Sequence, residues 1–296
     1  CLSAADMISF ADNMSVTHDN GPYHRVWSDI ALSVFCQLNT TSHVFFFFHF
    51  GALRHIILTF ALRNCENMNR ITAYIRQSLQ EIYPQEEIKA LSMLICCDML
   101  GLDAFDIYMG KDIILSECKQ RELENIIFRL QKNEPIQYIR GIAEFCGRNF
   151  KVASSVLIPR PETAELVELI VEENPNARRL LDIGTGSGCI AISLDKKLLD
   201  AEVEAWDISE EALAIARKNN DALEARVRFL QRDVLADDWE KIPSFDVIVS
   251  NPPYVTETEK NEMDANVLDW EPGLALFVPD EDPLRFYNRI ARLGSE

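Results

Sequence analysis

The sequence predicts an α/β fold in which an open parallel sheet covered by helices follows a small all-α domain and a β-hairpin linker. Three observations carry this expectation. From residue 178 short apolar runs alternate with helix-length segments, the pattern of a parallel sheet with helical crossovers. Between Met68 and residue 133 apolar residues recur at helical spacing. Between the two lie short aromatic runs punctuated by Gly, which suit a hairpin. A chain of 296 residues, 48% of them apolar, suffices for roughly two domains with a sizeable core.

Residues 1–67 are unlike the rest. They begin with Cys, contain the tract Val44–Phe48 and carry only three basic and five acidic residues. The apolar stretch Val44–Leu62 has the length of a membrane span, but His49, Arg54 and His55 interrupt it where a charge is costly. It also lies too far from the N-terminus for a signal peptide. An amphipathic helix begins at Met68. Residues 1–67 are therefore expected to be an extension foreign to the functional protein, with a poorly ordered native tail as the alternative and a membrane anchor third.

Residues 68–133 are expected to form the helical domain. Ile71, Tyr74, Ile75, Leu79 and Ile82 line a first helix, which Pro84 ends. Ile88, Leu91, Leu94 and Ile95 line a second, with Gly101 as its C-cap. Ser116 caps a third that carries Leu123, Ile126, Ile127 and Leu130. These stripes are core positions. Residues 134–160 are the expected hairpin linker, its strands drawn from Pro135–Gly141 and Phe145–Phe150. The segment Ile158-Pro-Arg-Pro-Glu-Thr163 leads into a helix with Leu166, Leu169 and Ile170 on its buried face, ended by Asn174-Pro175. Arg160 sits extended between two prolines, either as a site residue or in a surface salt bridge. Residues 161–296 then supply strands at Leu180–Ile183, Val203–Trp206, Val227–Gln231 and Phe245–Ser250. Helices are expected at Cys189–Leu199, Glu210–Asn220 and Pro283–Leu293.

Charge and residue usage exclude several function classes. The net charge is −18, and from Met68 onward 26 basic face 42 acidic residues, so stable binding to a nucleic acid is not expected. The eight cysteines include no C-x-x-C pair, which fits reduced thiols in a cytoplasmic protein rather than a zinc site or a disulfide framework. All five histidines precede residue 56, which removes a Ser-His-Asp triad, a Cys-His pair or a His-ligated metal from the body of the chain. No metal is expected.

Gly184-Thr185-Gly186-Ser187-Gly188 follows the first strand and opens a helix. This lets the backbone approach a ligand and turns free N–H groups toward a carboxylate or phosphate. Asp207, 19 residues past Gly188 at the next strand's end, is placed to accept both hydroxyls of a ribose. Asp233 and Val234, after the third strand, are placed to border an adenine. Cys189 stands where a dinucleotide site wants Gly or Ala, and no Lys-Ser or Lys-Thr follows the glycines. S-adenosylmethionine, which has a carboxylate and no pyrophosphate, fits this pattern better.

Asn251-Pro252-Pro253-Tyr254 follows the fourth strand. The prolines stiffen the turn and remove two donors, leaving carbonyls free to accept. Asn251 adds an acceptor and two donors, and Tyr254 a flat face. Acceptors beside an aromatic plate suit a planar –NH2 group, whether an amide or an exocyclic amine.

Taken together, Ile158-Pro-Arg-Pro-Glu-Thr, Leu181-Asp-Ile-Gly-Thr-Gly-Ser-Gly, Asp207, Asn251-Pro-Pro-Tyr and Trp270-Glu-Pro-Gly-Leu-Ala-Leu resemble the peptide chain release factor N5-glutamine methyltransferases from about Met68 to the end of the chain. The resemblance implies a Rossmann-like class I methyltransferase sheet and a helical domain that recognises the substrate. It implies methyl transfer from S-adenosylmethionine to the glutamine of a release factor's Gly-Gly-Gln loop. Asn251, Pro252, Pro253 and Tyr254 would hold the amide, the first two by their oxygens. Gly184–Gly188, Asp207, Asp233, Val234 and Asn251 would hold the cofactor. A cytoplasmic monomer without membrane attachment is expected. The alternatives are an N-methyltransferase acting on a base amine of DNA or rRNA, and an inactive methyltransferase-like binding module.

The resemblance also implies a seven-stranded sheet ordered 3-2-1-4-5-7-6, of which this sequence offers four strands, so the methyltransferase sheet is expected to be C-terminally incomplete and its fourth strand an unpaired edge. Restoring a C-terminal segment is expected to raise the melting temperature. A calorimetric comparison showing no gain overturns that expectation.

Overall fold

The computed structural model describes residues 69–236 and 242–294, apart from the side chain of Glu262. The expectations for residues 1–67, including the apolar stretch Val44–Leu62, lie outside the described residues. Among the described residues no helix is long and apolar enough to cross a membrane.

The helical region begins at α1 (Arg70–Leu79). Asn69 caps it, its Oδ1 accepting from the Thr72 N–H at 2.8 Å, and Ile71, Ile75 and Leu79 are buried. Pro84 precedes α2 (Gln85–Met93), which runs on into a π turn at Leu94–Met99 before Gly101 reverses the chain at φ +61°. A helix the sequence did not announce follows, α3 (Ala104–Tyr108), capped by Asp103. Its five residues are too few to display a period. The expected third helix is α4 (Glu117–Leu130), capped by Ser116 and burying Leu123, Ile126, Ile127 and Leu130. These apolar faces meet in one hydrophobic cluster of their own.

The linker corrects one expectation. Residues Pro135–Gly141 are not a strand: Ile136–Arg140 form the short helix α5, stopped by Gly141 at φ +74°. A short apolar run does not distinguish the two conformations by pattern alone. The hairpin pairs β1 (Ile142–Phe145) with β2 (Arg148–Lys151) instead. Its two-residue turn, Cys146-Gly147, has φ +47° and +69°, the geometry that matches the twist of paired strands. Helix α6 (Pro161–Glu173) starts with Pro161 in its first turn. It buries Val167 and Ile170, whereas Leu169, expected inside, is 49% exposed. At about 100° per residue Leu169 stands nearly opposite Val167 on the helix.

The sheet comprises β3 (Arg179–Ile183), β4 (Glu202–Asp207), β5 (Arg228–Gln231) and β6 (Val247–Ser250), all parallel, in the order β5-β4-β3-β6. Helix α7 (Cys189–Lys197) connects β3 to β4, and α8 (Glu210–Ala222) connects β4 to β5. The strand order reverses between β3 and β6, where open α/β sheets bind ligands. In register, Ile183 lies opposite both Trp206 and Ser250, which brings the loops after β3, β4 and β6 to one edge.

Beyond β6 the chain makes β7 (Val255–Thr256), α9 (Ala265–Trp270) and β8 (Phe277–Val278), with β7 and β8 paired in parallel. Helix α10 (Arg285–Leu293) packs Phe286, Ile290 and Leu293 against the cluster that contains Trp206 and Val234. The Trp270 indole donates to the Lys132 carbonyl of the helical region at 3.0 Å, and within the linker the buried Tyr138 hydroxyl donates to the Val156 carbonyl at 2.6 Å. Tyr138→Phe leaves that carbonyl without its partner and is expected to destabilise the fold by about 1–2 kcal/mol, read from urea unfolding midpoints.

Candidate functional site

A cavity of about 610 Å³ opens at the carboxyl ends of β3, β4 and β6. Its walls include residues 183–187, Asp207, Asp233, Val234 and residues 250–253, so the two motif groups picked out in sequence share one space.

The glycine loop is built for close approach. Gly184, Gly186 and Gly188 have φ of +72°, +55° and +80°. A Cβ at Gly184 or Gly186 would stand in open space, whereas at Gly188 it would lie 3.1 Å from Ile192 Cδ1 and 3.2 Å from Ala216 Cβ. Gly188 thus lets α7 and α8 meet, and the other two leave the cavity wall bare. Behind the loop, the Thr185 hydroxyl donates to Asp182 Oδ2 at 2.6 Å. Asp182 is fully buried, and its Oδ1 finds no partner. Burial pushes its carboxyl up to about 7, the nearby Asp207 charge adds to the rise, and the Thr185 hydroxyl opposes it.

Asp207 receives the Gly186 N–H on Oδ2 at 2.8 Å and the Ser209 N–H on Oδ1 at 2.9 Å. Burial raises its carboxyl, and these backbone donors hold it down. The Ile208 N–H also bonds this carboxylate, which leaves about one of a carboxylate's four acceptor sites for a hydroxyl in the cavity. Ile208, beside it, also lines the wall. Asp233 turns Oδ1 to the Leu235 N–H at 2.8 Å. Val234 is buried, and Arg289 on α10 fixes this loop by donating to the Val234 carbonyl at 3.1 Å and the Ala236 carbonyl at 2.6 Å.

On the opposite wall Asn251 Nδ2 lies 3.5 Å from Thr163 Oγ1, and the Ser250 hydroxyl donates to the Ile183 carbonyl at 2.7 Å. Pro252 is buried and Pro253 half-buried. Tyr254 is 59% exposed and is not part of the wall, so the structure does not bring it together with the other three residues of its motif. Arg160 lines the cavity, and its charge is met by Glu271 at 2.5 Å. Glu271 is buried and also accepts the Ile158 N–H at 3.2 Å. The ion pair joins a buried carboxylate to a half-exposed guanidinium, so it is a half-buried clasp rather than a surface bridge. Sequence reasoning missed Glu271, Thr163, Ile208 and Arg289. Glu271 and Thr163 left a signal, as members of the Trp270–Leu276 and Ile158–Thr163 blocks.

The residues present fit an adenosyl cofactor. Glycine walls allow contact with the backbone, Asp207 offers acceptor capacity that suits a ribose hydroxyl, and Ile208 and Val234 supply apolar surface that suits a base. The volume is that of a small-molecule site.

A parallel sheet in this strand order, with a glycine loop after its first strand and an acid after its second, defines a Rossmann-like class I methyltransferase. Residues 146–268 match the methyltransferase small domain, and residues 71–141 match the PrmC N-terminal domain. The release factor glutamine methyltransferase of Bacteroides thetaiotaomicron is 82% identical over 229 residues, 77% of this chain and 82% of that protein. The Flavobacterium psychrophilum protein of the same name is 43% identical over 224 residues, 74% and 78% of the two chains. That of Lactococcus lactis is 50% identical over 179 residues, 60% and 64%. The chain belongs to the release factor glutamine methyltransferase family.

Asp182 makes a pH prediction. Its folded pKa of about 7 lies above the ordinary 3.8. Its contribution to stability is therefore complete below about pH 4 and is lost as the pH rises through about 7. Asp182→Asn removes this titration. The melting temperature of the wild type, relative to the variant, is expected to fall between pH 4 and 7, and parallel curves would count against the assignment.

Proposed function

We propose that the chain transfers a methyl group from S-adenosylmethionine to the side-chain amide nitrogen of the glutamine in a release factor's Gly-Gly-Gln loop. The observation that carries the reading is the single cavity walled on one side by the glycine loop and Asp207 and on the other by Asn251 and the prolines. Gly184, Thr185, Gly186, Ser187 and Gly188 hold the methionine part of the cofactor, Asp207 the ribose, and Asp233, Val234 and Ile208 surround the adenine. The bound cofactor supplies a methyl group on a sulfonium, an already activated leaving group.

The chain's residues prepare the acceptor. An amide nitrogen is a poor nucleophile because its lone pair is delocalised into the carbonyl. Asn251 Oδ1 and the Pro252 carbonyl accept its two N–H groups and return electron density to the nitrogen, which releases one of those two protons to solvent as the new N–C bond forms and the methyl–sulfur bond pair stays with the sulfur. The prolines fix the direction of these acceptors, and the Arg160–Glu271 clasp holds the facing segment. Alignment of this kind contributes up to about 7–11 kcal/mol in well-oriented systems. Tyr254, exposed beside the cavity, is assigned to the incoming protein loop. The helical region receives the body of the release factor, and the enzyme works as a cytoplasmic monomer without stable nucleic-acid binding.

Labelled S-adenosylmethionine is expected to mark a bacterial release factor but not one whose loop glutamine is alanine. Asn251→Ala is expected to lower kcat/KM by at least about 100-fold, the scale for removing one preorganised polar contact at a reacting centre. Label on RNA or DNA alone would move the substrate to a base amine.

A further inference from the structure

One residue of the hairpin linker has both its backbone groups satisfied by a side chain that also grips the cofactor loop. In a two-residue hairpin Phe145 and Arg148 form the first hydrogen-bonded pair, and alternation makes Ile142–Lys151 a non-hydrogen-bonded pair. The next bond, from the Val152 N–H to the Gly141 carbonyl at 3.1 Å, keeps that phase. The N–H and C=O of Lys151 therefore point away from β1. Asn219 on α8 meets both. Its Oδ1 accepts from the Lys151 N–H at 2.7 Å, and its Nδ2 donates to the Lys151 carbonyl at 3.0 Å. The same Nδ2 donates to the Ser187 carbonyl at 2.9 Å, inside the glycine loop. Asn219 is 1% exposed, so water does not substitute for these bonds.

The Ser187–Gly188 peptide is the one that turns the loop into α7. Its N–H donates to the Thr185 carbonyl at 2.9 Å, and its carbonyl is held by Asn219. Ala216, one turn before Asn219 on α8, packs against Gly188 from the same side. We propose that Asn219 is a positioning residue for the cofactor loop, locking the Ser187–Gly188 peptide to the hairpin that carries the helical region, so that cofactor affinity depends on this junction. The proposal rests on the cofactor reading above. Only a short carboxamide supplies one acceptor and two donors here. Without it the peptide keeps only the bond to the Thr185 carbonyl, and a loop competent for about a tenth of the time binds about tenfold more weakly.

The test is calorimetric titration of S-adenosylmethionine into wild type, Asn219→Asp and Asn219→Ser, with melting temperature and methyl transfer measured in parallel. Asn219→Asp keeps the acceptor and the volume but removes both donors. Asn219→Ser provides the same readout should the Asp variant fail to fold. The expected result is a Kd raised about tenfold with kcat at saturating cofactor within about twofold of wild type. An unchanged Kd, whatever the melting temperature does, overturns the proposal while wild-type binding leaves the cofactor reading intact. A wild type that binds no S-adenosylmethionine overturns the cofactor reading and the proposal with it.

Discussion

Every peptide group of β3 has to find a partner, because the strand lies inside the sheet and its side chains from Leu180 to Ile183 are buried. It is met by β4 on one side and β6 on the other, in parallel register. Parallel pairing sends all carboxyl ends the same way, so the residues that follow Ile183, Trp206 and Ser250 must emerge together. The chain winds from β3 to β4 and β5 in one direction and returns to the far side of β3 for β6. That reversal separates the glycine loop from the Asn-Pro-Pro turn and leaves the cavity between them.

Around this edge many polar groups hold each other, while Asp182 Oδ1 and the Ser187 hydroxyl are buried without a partner. Asp207 accepts the Gly186 and Ser209 amides, the Thr185 hydroxyl donates to Asp182, and Arg289 donates to two carbonyls of the loop after β5. A carboxylate as buried as that of Glu271 is costly unless paired and hydrogen-bonded, and here a guanidinium and a backbone amide meet it. The consequence for binding is preorganisation: the walls are set before a ligand arrives, and less ordering entropy is lost when it does.

The helical region and the sheet have separate cores, so their relation depends on few bonds. Tyr138 fixes the linker to the segment that leads into α6, Trp270 returns from the far side of the cavity to Lys132, and Asn219 joins β2 to the glycine loop. Each junction lies beside a cavity wall.

Alternating strands and helices, the glycine loop, the acid at the end of β4 and the Asn-Pro-Pro turn were legible because each is a local pattern. Backbone conformation and solvent exposure repeat with the period of the element, and turn residues announce themselves by their φ requirements. Short elements were not legible: α3 and α5 have five residues each, too few for a period to rise above chance. Nor was the outward turn of Leu169, since one apolar position does not fix the phase of a helix. That Arg160, Asn251 and Lys151 pair with the residues they do was not legible for a different reason. Glu271 lies 111 residues from Arg160, Thr163 lies 88 from Asn251, and Asn219 lies 68 from Lys151. Such pairs have no signature in a single sequence, because nothing local requires them. The sequence determined which chemistry the chain carries, and the tertiary structure decided which side chains hold that chemistry in place, because burial demands partners without regard to their distance along the chain.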